Sequence, residues 1–149
     1  MKIAFGCDHG GFVAKEKLFE YFDSMGYEVT DYGCFDENSV DYPDIAYPVC
    51  NDVKSNSSDF GVLICGTGIG MSIVANKIKG IRCAHVTDDF SAEMTRRHNN
   101  TNVIALGARI TSVEDIVKFV DKFLTTPFDG GRHENRVNKI IQIEEENFN

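Results

Sequence analysis

The sequence predicts an α/β fold with a mostly parallel sheet. Five short runs of apolar and β-branched residues alternate with segments whose apolar residues recur at helical spacing. A strand, a helix and a second strand in that order form a right-handed unit with parallel strands, so the alternation implies a parallel sheet covered by helices. The predicted strands are residues 2–7, 27–32, 60–65, 81–86 and 102–106.

The positions of proline refine the helices between these strands. Pro43 suits the first turn of the second helix, and Pro48 is expected to bend or shorten it. Pro127 ends the fifth helix, and a last helix carrying Val137 follows a Gly-Gly pair at 130–131. The sequence contains no repeat, linker or low-complexity segment, so residues 1–149 are predicted to form one domain.

Composition disfavours several classes of partner. With 23 acidic and 15 basic side chains, the formal charge is −8, which repels nucleic acid and anionic membrane surfaces. No run of about 18 apolar residues could span a bilayer, and the N-terminus becomes polar too early for a secretory signal. The five cysteines form no CxxC pair, which indicates reduced thiols rather than disulfides or a zinc ribbon. We therefore expect a cytoplasmic protein.

Reactive side chains follow the predicted strands. In a parallel sheet, ligands bind beyond the carboxyl ends of the strands, so these residues are expected to share one site. The segments there are Asp8-His9-Gly10-Gly11, Asp41-Tyr42, Cys65-Gly66-Thr67-Gly68-Ile69-Gly70, Thr87-Asp88-Asp89 and Gly107-Ala108-Arg109.

The glycine-rich loop after the third strand is the most informative segment. Its three glycines, before a helix predicted to begin near Ile69, allow backbone N–H groups to converge on negative charge. Met71 stands where a dinucleotide-binding loop requires glycine, and no Lys-Ser/Thr pair follows as in a P-loop. A tight structural turn is the alternative. Cys65 favours catalysis, because a thiol at a helix N-terminus ionises readily and can act as a base.

Arg132 and Arg136 are spaced i, i+4 in the first turns of the last helix, where the helix dipole disfavours cations. An anion bound there would explain them, and guanidinium groups suit phosphate. Arg109 adds a third candidate cation at the sheet edge. A solvated charged face is the alternative interpretation.

His98 and Asn99 end the fourth helix, which starts at the predicted site and runs away from it for roughly 15 Å. If His98 is catalytic, a second subunit must supply it; otherwise it complements the helix C-terminus. A metal site formed by His9, Asp8 and Cys65 is disfavoured, because no ligand spacing supports it.

The remaining histidines, His85 and His133, are interpreted as structural.

The motifs as a set are more specific than any one of them. They are Gly6-Cys7-Asp8-His9-Gly10-Gly11, Asp41-Tyr42-Pro43, Cys65-Gly66-Thr67-Gly68-Ile69-Gly70, Arg97-His98-Asn99, Gly107-Ala108-Arg109 and Gly130-Gly131-Arg132-His133. In this order, from residue 3 to about residue 143, they resemble the type B ribose-5-phosphate isomerases, a family that also includes galactose-6-phosphate isomerase subunits.

The resemblance implies a flavodoxin-like, Rossmann-type three-layer sandwich with five parallel strands and an additional C-terminal helix. It implies a homodimer with shared active sites, able to pair into a tetramer, and a reaction without metal or cofactor. The implied reaction interconverts ribose 5-phosphate and ribulose 5-phosphate through a cis-enediolate, a step of the pentose phosphate pathway.

The resemblance also implies roles for individual residues. Cys65 matches the base that moves a proton between C2 and C1; part of the family uses a glutamate a few residues later instead. His98 matches the acid that opens the furanose ring, with Asp8 assisting. The other matches are substrate contacts. The amides that hold the oxyanion belong to Gly66, Thr67, Gly68, Ile69 and Gly70, and Thr67 is also placed among the catalytic residues. The phosphate contacts are His9, Arg109, Arg132 and Arg136, the sugar contact is Asn99, and Asp8 and Tyr42 lie in the pocket.

Two other functions stay open. A six-carbon substrate such as allose 6-phosphate or galactose 6-phosphate would need a pocket whose depth depends on residues 33–41 and Tyr42. A non-catalytic sensor of phosphate or nucleotide would leave the Cys65 thiol dispensable. Galactose-6-phosphate isomerases need two different chains, so the activity of this chain alone separates that substrate from the others.

Overall fold

A computed structural model describes residues 1–148 of the chain. Strands and helices alternate up to the last strand, and two helices follow it. The strands are β1 (Lys2–Cys7), β2 (Glu28–Asp31), β3 (Phe60–Cys65), β4 (Cys83–His85) and β5 (Val103–Gly107). The helices are α1 (Phe12–Ser24), α2 (Tyr42–Lys54), α3 (Ile69–Ala75), α4 (Asp89–Asn99), α5 (Val113–Thr125) and α6 (Arg132–Asn147).

The five strands form one parallel sheet in the order β2-β1-β3-β5-β4. The predicted α/β class, with five parallel strands and a C-terminal helix, is confirmed. The flavodoxin order is 2-1-3-4-5, so the last two strands are exchanged relative to that fold. Burial explains the exchange, because every residue of β5 is buried, as an inner strand requires, whereas the short β4 is partly exposed at the edge.

Both edge strands are shorter than the runs predicted for them. The predicted strands at 27–32 and 81–86 are reduced to Glu28–Asp31 and Cys83–His85. An edge strand has a ladder partner on one side only, so the ends of these strands are held by fewer hydrogen bonds.

Helices cover both faces of the sheet and complete the three layers. Because side chains alternate along a strand, Phe5 of β1 faces the layer formed by α1 and α5, while Ala4 faces α2 and α3. Phe22 of α1 and Phe123 of α5 are fully buried in the first of these layers. The last helix, α6, packs against α4. Among the described residues, none of the helices combines the length and apolar character that crossing a membrane requires.

The second helix continues through Pro48 to Lys54, so of the two effects predicted for this proline, bending or shortening, the shortening does not occur. Pro43 lies in the first turn, as predicted. A proline removes one backbone hydrogen bond, but Val49 and Cys50 directly after it are fully buried. Packing of this apolar face holds the second half of α2 in place, since tertiary burial supplies most of the stability of a short helix.

The C-terminal end of α4 is held by a buried arginine. Arg96 is 8% exposed, and its guanidinium donates hydrogen bonds to the Thr101 carbonyl and to Asn100 Oδ1. It also lies over the Phe60 ring, 4.8 Å from the ring centre. Burial lowers the pKa of Arg96, but a guanidinium stays charged in proteins. The position of His98, two residues further on, therefore depends on this arginine.

We expect Arg96→Met to lower the free energy of unfolding by about 1.5–3 kcal/mol, the usual contribution of a hydrogen bond to a charged group. The matched control is Arg97→Met, because Arg97 is the next residue and its ion pairs to Glu93 and Asp129 lie at the surface. Exposed ion pairs contribute little, so the control should unfold almost like the wild type. Urea unfolding measures both, and equal losses would contradict the role given to Arg96.

Candidate active site

Cys65 ends β3, and three residues separate it from the start of α3 at Ile69. The residue is 5% exposed, and its Sγ accepts a hydrogen bond from the Gly68 amide at 3.1 Å. The Gly68 N–H therefore points at the sulfur, where it can donate to a thiolate as well as to a thiol. Cys65 is thus placed, beside a backbone donor, at the carboxyl end of an inner strand, where ligands bind in parallel sheets.

Glycines fix the shape of the loop formed by residues 66–70. Gly68 has a φ of +81°, in the left-handed region, and this turn leads the chain into α3. A Cβ atom on Gly107 of β5 would lie 2.5 Å from the Thr67 carbonyl carbon. The loop therefore lies directly on β5, and only glycine allows this approach.

Some amides of the loop donate hydrogen bonds within this segment, and others donate none. The Gly68 amide donates to Cys65, and the Ile69 amide donates to Thr67 Oγ1 at 3.2 Å. Within residues 1–148, the amides of Gly66, Thr67 and Gly70 donate no hydrogen bond to the chain. Of the five amides predicted to hold an oxyanion, these three are available to a ligand.

Loops after β1 and β5 approach the glycine loop from either side. Asp8 is 7% exposed, and its Oδ1 accepts hydrogen bonds from the Gly10 amide at 2.8 Å and the Gly11 amide at 3.2 Å. A Cβ on Gly66 would lie 3.0 Å from Arg109 Nη1, so the arginine side chain crosses directly over this glycine. The structure thus brings both residues to the Cys65 loop, as the sequence predicted.

His9 and Tyr42 complete this group. His9 Nδ1 accepts a hydrogen bond from the Val40 amide at 3.3 Å, so a neutral ring carries its proton on Nε2 and can donate it to a ligand. A Cβ on Gly70 would lie 2.7 Å from the Tyr42 ring, which places this exposed aromatic side chain against the start of α3.

A second group of predicted site residues lies at the opposite end of the strands from Cys65. The Asn99 carbonyl at the end of α4 accepts a hydrogen bond from Arg82, which precedes β4, so this group is near the amino ends of the strands. A five-residue strand spans about 16 Å, which separates His98 from the Cys65 of the same chain. The residues here line a cavity of about 280 Å³ and are His98, Asn99, Arg132, His133, Arg136, Val137 and Ile140.

His98 and His133 are stacked, with ring centres 4.2 Å apart and planes 10° from parallel. Burial, the neighbouring His98 and the charges of Arg132 and Arg136 lower the pKa of His133, so its ring is uncharged at neutral pH. The interpretation of His133 as structural did not foresee this contact with a candidate catalytic residue. Its place beside Arg132 in the sequence was the available signal.

Within residues 1–148, one group of three potential metal ligands is close together: His98, Asp129 and His133, with ligating atoms within 4.8 Å of one another. Nitrogen lone pairs lie in the ring planes, and nearly parallel planes do not converge on one ion. Arg132 and Arg136 line the same cavity and oppose a cation. These residues fit a metal poorly, and a site without metal stays a prediction.

One histidine outside the predicted site contacts the loop. His85, at the end of edge strand β4, has its Nε2 2.7 Å from the Thr67 carbonyl oxygen. The sequence interpretation of His85 as structural missed this contact, because no motif links a residue of β4 to the loop after β3.

The family is identified by comparison with known proteins. Residues 3–140 match the family model described as Ribose/Galactose Isomerase. Ribose-5-phosphate isomerase B of Escherichia coli is 44% identical over 144 residues, which cover 97% of this chain and 97% of the relative. The chain therefore belongs to the ribose/galactose isomerase family and is an isomerase.

Solved structures agree with this assignment. Ribose-5-phosphate isomerase B of Clostridium thermocellum superposes with a TM-score of 0.95 at 46% identity, covering 98% of this chain and 99% of that one. Ribose-5-phosphate isomerase B of Mycoplasma genitalium, with bound ribulose 5-phosphate, gives a TM-score of 0.93 at 40% identity and covers 97% of both chains. The resemblance to type B ribose-5-phosphate isomerases found in the sequence is confirmed.

Gly107→Ala tests the close approach of the loop to β5. We expect the added methyl group to displace Thr67 and to lower turnover by about tenfold or more, because small misplacements of catalytic groups are costly. Gly26→Ala is the control for lost stability, because the φ of +69° at Gly26 strains an alanine, whereas a Cβ added there would meet no atom within 4 Å and the residue lies outside the loop. It should lose stability but keep its turnover. Steady-state kinetics and thermal unfolding measure both, and full turnover in Gly107→Ala would contradict the constraint.

Proposed function

We propose that this protein interconverts ribose 5-phosphate and ribulose 5-phosphate, with Cys65 as the base. The observation that carries the proposal is the position of the Cys65 sulfur, bonded to the Gly68 amide beside three free amides. The Escherichia coli relative is named for ribose 5-phosphate, and the Mycoplasma genitalium structure holds ribulose 5-phosphate. The reaction is a step of the pentose phosphate pathway, and five free thiols fit the reducing cytoplasm.

Proton transfer would occur on the open-chain sugar. The Cys65 thiolate removes the proton from C2, and the electron pair left behind forms the C1–C2 double bond of an enediolate with its charge on O1. The free amides of Gly66, Thr67 and Gly70 stabilise this oxygen, and stabilisation of this kind often contributes more to the rate than any other single effect. A proton then passes from O2 to O1, and the thiol returns its proton to C1, which leaves the ketone at C2.

Ring opening and phosphate binding would require a second subunit. In the proposed homodimer, the His98 of one chain lies over the Cys65 of the other and donates a proton to the ring oxygen, while Asp8 accepts the proton of the anomeric hydroxyl. Arg132 and Arg136 line the cavity of His98 and would bind the phosphate together with His9 and Arg109. Asn99 would contact the sugar hydroxyls.

An apolar surface beside edge strand β4 supports the proposed homodimer. Ile140 and Ile143 of α6 are 45% and 60% exposed, and they line a cavity of about 460 Å³ that reaches Cys83 and Ala84 of β4. Contiguous exposed apolar surface of this kind commonly marks a protein interface. A two-fold contact would use the same surface on both chains and would complete two sites at once. Pairing of dimers into a tetramer stays a prediction.

The substrate is tested with the purified chain alone. Steady-state rates would be compared for ribose 5-phosphate, allose 6-phosphate and galactose 6-phosphate. We expect the highest kcat/KM for ribose 5-phosphate; a clear preference for a six-carbon sugar would overturn the proposed substrate and keep the reaction class. No isomerisation of any of the three would overturn the function.

The role of Cys65 is tested by Cys65→Ala. We expect normal folding and a loss of about 10²-fold or more in turnover, the usual contribution of a general base. Cys50→Ala is the matched control, because burial raises the pKa of the Cys50 thiol to about 12 and keeps it protonated. Full activity of Cys65→Ala would remove this thiol from the mechanism.

The shared site is tested by mixing two inactive variants, Cys65→Ala and His98→Ala, after unfolding and refolding them together. Each mixed dimer contains one site with both groups and one site with neither. Random assortment makes half of the dimers mixed, so about a quarter of the wild-type activity should return. If mixed dimers form and remain as inactive as their parents, the shared site is wrong.

A further inference from the structure

His85, at the end of edge strand β4, contacts the glycine-rich loop of residues 66–70. His85 Nε2 lies 2.7 Å from the Thr67 carbonyl oxygen. A carbonyl oxygen only accepts hydrogen bonds, so Nε2 must carry the proton and donate it. Both the neutral ring with its proton on Nε2 and the charged ring can make this bond.

The same peptide group contacts Cys65 at its other end. The Thr67 carbonyl and the Gly68 N–H belong to one planar unit, in which the C=O and N–H bonds point in opposite directions. While the carbonyl accepts from His85, the N–H donates to Cys65 Sγ at 3.1 Å. One peptide group thus connects the imidazole with the candidate base.

The orientation of this peptide group is closely constrained. A Cβ on Gly68 would lie 2.8 Å from His85 Cδ2 and 2.9 Å from the Leu106 carbonyl carbon, so the ring and β5 both pack against Gly68. The next residue of β5, Gly107, is as close to Thr67, because a Cβ added to it would lie 2.5 Å from the Thr67 carbonyl carbon. A rotation that turned the N–H away from sulfur would also break the bond to His85.

Hydrogen bonds in a chain polarise one another. A donor on the Thr67 carbonyl makes the Gly68 N–H a stronger donor, and a stronger donor to sulfur favours the thiolate. The His85 residue is exposed, so its side chain contributes little burial to the core.

We propose that His85 is a positioning residue that acts on Cys65 through the Thr67–Gly68 peptide group. It aligns the Gly68 N–H with the sulfur and raises the fraction of Cys65 present as thiolate. The catalytic consequence rests on the proposed function, in which the thiolate is the base. The effect on the thiol itself does not depend on the substrate.

The test compares three variants: His85→Leu, His85→Gln and His85→Asn. Leucine fills a similar volume without a donor, glutamine places an N–H near the position of Nε2, and asparagine places it near Nδ1, too short to reach the carbonyl. The first measurement is the rate at which iodoacetamide alkylates Cys65 at neutral pH, followed by mass spectrometry of the Cys65 peptide. Alkylation of Cys50 of α2 in the same samples is the internal control, and thermal unfolding checks the fold.

In His85→Leu and His85→Asn, we expect iodoacetamide to alkylate Cys65 about three- to tenfold more slowly than in the wild type. This range corresponds to the contribution of one neutral hydrogen bond. His85→Gln should recover most of the wild-type rate. With ribose 5-phosphate, kcat should fall by a similar factor in the first two variants, whereas KM should change less than about twofold because the phosphate contacts are untouched.

If Cys65 is alkylated in His85→Leu at the same rate as in the wild type, the proposal is overturned. Equal losses of alkylation rate in His85→Gln and His85→Leu would overturn it as well. A loss confined to KM would also overturn it, because that pattern indicates a substrate contact. If the wild-type protein isomerises no sugar phosphate, the proposed function fails, but the alkylation rates still decide whether His85 controls the thiol.

Discussion

The surroundings of Cys65 depend on the register of β3 between β1 and β5. Cys7 pairs with Ile64 and Cys65 pairs with Gly107, so the three strands end at the same level of the sheet. The loops that carry Asp8 and Arg109 therefore begin beside the loop that follows Cys65. A slip of one residue would turn the cysteine to the other face of the sheet and would replace Gly107 beneath Thr67 by a residue with a side chain.

Much of this arrangement could be predicted from the sequence, because it depends on local patterns. The strands are short apolar runs, and polar motifs follow them where the carboxyl ends of parallel strands meet. Helix length alone indicated that His98 lies far from Cys65. The roles of the site residues, the homodimer and a single domain over residues 1–149 are still predictions, since they concern chemistry, a second chain or a boundary rather than the path of one folded chain.

What the sequence did not reveal depends on contacts between distant segments. The exchange of β4 and β5 follows from which strand is buried on both faces, whereas the alternation of strands and helices in the sequence does not give the order of the strands in the sheet. Pro48 is tolerated because its neighbours are buried, and a rule for an isolated helix does not include that burial. His85 and His133 contact the candidate site through a carbonyl and through a stacked ring, and neither contact has a motif. The amides of Gly68 and Ile69 donate hydrogen bonds within the Cys65 segment. Only the conformation of the loop distinguishes them from the amides that are available to a ligand.

About 16 Å of sheet separates His98 from Cys65, so one folded chain holds two incomplete halves of the proposed site. In the proposed homodimer, activity is then governed by mass action as well as by folding. Dilution well below the dissociation constant of the dimer would abolish catalysis while each chain kept its secondary structure. In that range the number of complete sites rises with the square of the chain concentration. A cell that halves its supply of the protein would then lose three quarters of the activity.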